Sequence, residues 1–169
     1  MHDSKKFAII LPSTTQMEFK MRKIQAVYRG ATSISGTERN DCTVRALANA
    51  TDMPYEKAHA LLKKHGRKDC KGAYFTTMKP AYEEAGFVLY GVYGTTRAAR
   101  HTAYITKQAP TSGTTLAKLL PTLGLGEYIV NTTGHAIAVV NGKIIDTFDN
   151  PAGKRVVAVF KKVDSDFGI

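Results

Sequence analysis

Along this chain the spacing of apolar positions changes period, from extended to helical and then to alternating. The first forty residues carry extended signals. Phe7–Leu11 is a short apolar strand stopped by Pro12, and Met17–Tyr28 holds a second, partly alternating stretch. Gly30 through Thr37 is a loop of small residues without the lysine of a phosphate loop. From Asn40 the period becomes helical. Asn40 and Asp41 are expected caps before Cys42, Val44, Leu47 and Ala48 form one stripe, and Thr51-Asp52-Met53-Pro54 ends this helix and starts another. The second helix, about Pro54 to His65, sets Ala58, Leu61 and Leu62 on one face and stops at Gly66. A third runs from Thr76-Thr77 through Ala81, Tyr82 and Ala85 to Gly86.

After Gly86 the alternation of strands takes over. Phe87–Tyr93 and Thr102–Thr106 are expected strands, followed by a short helix at Thr115–Leu120. Four more follow in succession: Glu127–Asn131, His135–Val140, Lys143–Phe148 and Arg155–Phe160. Asn141-Gly142 predicts a tight hairpin, because both central residues of a type I′ turn need positive φ. Asp149-Asn150-Pro151-Ala152-Gly153 makes the next turn. Helices first and an antiparallel meander afterwards indicate an α+β fold. We read one domain over 1–169, with an extended segment at 1–38, a core at 39–160 and a tail at 161–169.

Charge adds a surface to this picture. The chain carries 24 Lys and Arg against 14 Asp and Glu, a net +10. Cations concentrate at Lys63–Lys71, and Arg97, Arg100, Lys107 and Lys118 fall in a stretch between Glu84 and Glu127 that has no acidic residue. That pattern suits an acidic partner or weak, non-specific nucleic-acid binding. No zinc-finger spacing, RNP-type aromatic motif or recognition helix accompanies it, so base-specific reading is not expected. The longest apolar runs, Phe7–Pro12 and Ala136–Val140, are too short to cross a bilayer. No small-residue cleavage site follows Met1-His2-Asp3-Ser4-Lys5-Lys6, and two cysteines make no disulfide framework. A cytoplasmic protein is therefore expected.

The chemistry-bearing candidates are few. Cys42 stands at a helix start, where free N–H groups and the helix dipole favour a thiolate. His135 opens a strand. If Asn141-Gly142 is a two-residue turn, Val140 pairs with Lys143, Ile137 faces Asp146 and His135 faces Phe148. Asp146 is then the diagonal neighbour of His135, able to hold its tautomer and orientation. Asp149 and Asn150, in the turn beyond, are alternates. Cys70 reads as structural, His59 and His65 as solvent-facing, and His101 as part of a basic loop that could approach a substrate but that nothing positions. The usual motifs for zinc, calcium and serine-hydrolase sites are missing, so neither metal nor cofactor is expected.

The order of helix-start Cys42, strand-start His135 and following Asp146 resembles the papain-like cysteine peptidase superfamily. So do the runs Arg39-Asn40-Asp41-Cys42-Thr43-Val44-Arg45-Ala46-Leu47 and Gly126–Asp146. The resemblance is to the small papain-fold proteins of phage and mobile elements, and more distantly to the peptidase domains of bacteriocin exporters. It covers about Asn40 to Phe160. It implies a helical half packed on an antiparallel sheet, with Cys42 as nucleophile, His135 as general base and acid, and Asp146 as orienting acid. It also implies a cofactor-free thiol hydrolase acting on a peptide or isopeptide amide, or a transamidase with the same residues. In a phage protein the place of action would be the host cytoplasm. Asn40 is the only amide close before the cysteine and is either an oxyanion donor or a helix cap; Gln25 is far upstream, and there is no Trp. Those two departures leave a second reading open, a non-enzymatic binding module that engages a host protein or nucleic acid through its basic surface.

Overall fold

A computed structural model describes residues 38–148 and 152–163. The expected strands Phe7–Leu11 and Met17–Tyr28, the loop before Glu38, and Asp149 and Asn150 lie outside the described residues. Three helices come first, α1 (Cys42–Thr51), α2 (Tyr55–Lys64) and α3 (Phe75–Glu84), then strand β1 (Phe87–Val92). Helices α4 (Arg97–Thr106) and α5 (Leu116–Leu119) follow. The chain then forms β2 (Glu127–Thr132), β3 (His135–Val140), β4 (Lys143–Ile145) and β5 (Val156–Lys162). This is an α+β architecture built on one five-stranded antiparallel sheet in the order β1-β5-β2-β3-β4.

The two faces of the sheet bury different sets of residues, as period-two alternation requires. Ile129, Ala136, Ala138, Ala158 and Phe160 face the helices, joining Val44, Leu47, Leu62 and Tyr82 in the larger core. Val130, Ile137, Val139, Ile144 and Val159 face the other way and are covered by Leu116, Leu119 and Leu123. Alanines on β3 where α1 crosses it let that helix approach the sheet closely. The approach places the first turn of α1 at the start of β3.

Three expectations need correction. Thr102–Thr106 is not a strand but the end of α4. Thr96 caps that helix by accepting the Ala99 N–H at 3.1 Å, and the Thr106 hydroxyl bonds back to the Thr102 carbonyl. Good helix formers at Arg97-Ala98-Ala99-Arg100 therefore outweigh the β-branched residues that follow. Nor is the sheet a simple meander, because β5 returns to lie between β1 and β2. Finally, β4 ends at Ile145 rather than Phe148. Asp146 Oδ1 accepts the Thr147 N–H at 2.7 Å and Arg45 holds the Thr147 hydroxyl, so the chain leaves the ladder there.

Candidate active site

Cys42 is the first residue of α1, where the opening N–H groups have no carbonyl of their own turn to bond. The residue before it, Asp41, is the cap position but makes no capping bond with its side chain. Its carboxylate instead takes the Arg45 Nε–H at 2.9 Å and the Tyr55 hydroxyl at 2.8 Å. Asn40 is no cap either. It sits in a left-handed conformation (φ 51) and donates its amide to the Cys70 carbonyl at 3.2 Å. The capping expected of Asn40 and Asp41 is thus replaced by side-chain bonds that tie the helix start to α2 and to the loop before α3.

The hairpin register is the expected one, with Val140 opposite Lys143 and Ala138 opposite Ile145. Asn141 (φ 49) and Gly142 (φ 75) supply the two positive φ angles of the turn. That register brings Asp146 Oδ2 to 2.6 Å from His135 Nε2, with Asp146 almost wholly buried. Because a carboxylate only accepts, Nε2 carries the proton of this bond and Nδ1 is the nitrogen left for Cys42. Phe148 lies edge-on to the imidazole at 5.8 Å, the neighbour that the register predicts.

These contacts set the charges. Burial pushes the Cys42 thiol up, but hydrogen bonds from His135 and the Ala136 N–H, together with the imidazolium charge, bring it below its ordinary 9.0. Burial pulls His135 down, yet Asp146 and Cys42 outweigh it and raise the imidazole from 6.5 to about 9. Both shifts favour a thiolate–imidazolium pair. Iodoacetamide should therefore alkylate Cys42 faster than exposed Cys70 below pH 7. Peptide mapping by mass spectrometry across pH 5–10 checks this; equal, slow labelling of both thiols would contradict the pair.

A cleft of about 360 Å³ opens beside the pair, with Phe75, Met78, Ala136 and Val157 among its walls. Sequence reasoning missed one of its members and left another unpositioned. Asn131, opposite Ala136 in the β2–β3 ladder, gives its amide N–H to Met78 sulfur at 3.0 Å. Its buried Oδ1, like the buried Thr43 hydroxyl, has no partner among the described residues. Asn131 reads from sequence as a polar interruption in a strand, with no sign that the strand passes under a cleft. His101 is the other, brought to the cleft because its segment is helical.

His59 and His65 are not simply solvent-facing. His65 Nε2 lies 2.7 Å from Glu84 Oε2. His59 lies 3.6 Å from Glu38 and 3.4 Å from Asp69, and these three are the described residues whose donor atoms could hold a metal ion. Each carboxylate already has a cation on its outer oxygen, Arg67 at 2.6 Å on Glu38 and Lys63 at 2.8 Å on Asp69. Both carboxylates are thus already engaged, and the group clasps the segment before α1 to α2. Cys70, expected to be structural, is exposed and gives its N–H to Glu38. Set beside known protein families, curated proteins and solved structures, the chain matches none. No helix among the described residues is long and apolar enough to cross a membrane.

Proposed function

We propose that this chain is a cofactor-free thiol hydrolase of papain-like type, acting on a peptide or isopeptide amide. The observation that carries the reading is the continuous contact from Cys42 through His135 to Asp146, with the thiol lowered and the imidazole raised. Three residues from α1, β3 and the end of the β3–β4 hairpin meet beside an open cleft, an arrangement with no packing purpose that apolar residues would not serve better.

The steps follow from the contacts. The Cys42 thiolate attacks the substrate carbonyl, and the oxyanion that develops receives the Cys42 N–H at the start of α1. Asn40 is the second candidate donor, through an amide that would have to turn from the Cys70 carbonyl. The His135 imidazolium gives its Nδ1 proton to the leaving amine, which departs and leaves a thioester on Cys42. Neutral His135 then takes a proton from water, whose oxygen attacks the thioester and releases the acid and the thiolate. An amine in place of water gives transamidation by the same route. Asp146 keeps Nε2 protonated throughout, so Nδ1 is the atom that exchanges protons.

The test is to trap the thioester. Digesting a proteome-derived peptide mixture in the presence of hydroxylamine should convert new C-termini to hydroxamates, detected by mass as peptides that water alone does not yield. Absence of both cleavage and hydroxamates, with Cys42 reactive, would make the site a binding module.

A further inference from the structure

The mouth of the cleft is cationic on the residues that flank it. Helix α4 lines it with Ala98, His101 and Thr102. Arg97 is one turn before His101 on the same helical face, and Arg100 precedes it directly; all three are exposed. The loop that contributes Gly72, Ala73 and Tyr74 is led in by exposed Lys71. None of Lys71, Arg97 and Arg100 belongs to an ion pair among the described residues. Asp69, the acid nearest that loop in sequence, is taken up by Lys63 and His59. Unpaired guanidinium forks beside a low-dielectric cleft focus a positive field on whatever enters it and match carboxylates in shape.

We propose, resting on the reading of Cys42 as nucleophile, that the substrate is an acidic polypeptide segment, with Asp or Glu side chains near the scissile bond held by Arg97 and drawn in by the positive field to which Arg100 adds. The apolar interior of the cleft, with Phe75, Met78 and Val157, favours a peptide over a nucleic acid. A single-stranded nucleic acid binds best on stacked aromatic platforms along a continuous basic track, and among the described residues lining this cleft Tyr74 is the one strongly exposed Tyr or Phe ring.

The experiment uses the full chain carrying Cys42→Ala, so that binding is read without turnover. A fluorescent Gly-Ala peptide bearing three Glu should bind more tightly than the same peptide bearing three Lys. Arg97→Gln with Arg100→Gln should weaken the Glu peptide about five-fold at low salt, as the loss of solvent-exposed ion pairs would, and less at high salt. Lys57→Gln with Lys143→Gln removes the same charge from exposed positions outside the cleft and should change binding less than two-fold. In the wild-type chain the Glu peptide should also slow iodoacetamide at Cys42 and not at Cys70. Equal loss in both double variants, or no protection of Cys42, would overturn the proposal. So would a mixed-sequence RNA oligonucleotide that binds more tightly than the peptide with the same arginine dependence. Failure of the hydrolase reading registers separately, as Cys42 that alkylates no faster than Cys70.

Discussion

Cys42→Ala is expected to abolish turnover, a fall of about 10⁴-fold or more, while the chain still folds and still binds its substrate. No second thiol can take its place: Cys70 is on the neighbouring loop, bonded through its backbone to Glu38 and Asn40, and does not line the cleft. Position 42 is half-buried at a helix start, and alanine is a good helix former that adds no bulk. Stability should change by about 1 kcal/mol or less. Denaturant unfolding and peptide cleavage, measured on the same preparations, check the pair of claims. A variant that folds and retains full activity would remove the nucleophile from the mechanism.

The second large effect is expected at the other end of the relay. His135→Ala should cost nearly as much as Cys42→Ala, since residues that act as one unit give non-additive losses. Asp146→Asn should cost about 10²–10⁴-fold, because an amide can present either a donor or an acceptor to Nε2 and no longer holds one tautomer. The pH profile separates this from simple unfolding. His135 titrates near 9 in the folded chain against an ordinary 6.5, so the stability its proton supplies is complete below pH 6.5. It is lost as pH rises through about 9. Without the Asp146 carboxylate the imidazole falls back toward its ordinary value, and the alkaline limb of activity should move toward neutrality. A folded Asp146→Asn protein with an unmoved alkaline limb would show that another group sets it.

Much of this site was legible because it rests on local rules. Asn141-Gly142 dictates a turn, the turn dictates a register, and the register puts Asp146 beside His135. The Cys42 helix could be placed from the stripe of Val44, Leu47 and Ala48. What escaped depends on distant partners. Asn40 and Asp41 look like caps, yet Cys70, Arg45 and Tyr55 compete for their side chains and win. The α4 helix hides behind Thr102, Tyr104 and Ile105, whose strand preference yields to a well-capped start at Thr96. His59 looked solvated because neither Glu38 nor Asp69 is near it in sequence. The place of β5 follows from which sheet edge remains open, and no pattern within Val156–Lys162 encodes that.

The position of β5 also governs when this protein can come into being on a ribosome. Its neighbours β1 and β2 do not pair with each other, and both wait for a strand that is synthesised after every other element described. A nascent chain halted before residue 156 would hold Cys42, His135 and Asp146 in sequence, yet its sheet would be split into the β2–β3–β4 hairpins and a lone β1. The edges of β1 and β2 that β5 joins would face solvent until the last strand emerged. Closure of the sheet is thus a slow, long-range event that a fragment released before Val156 never reaches.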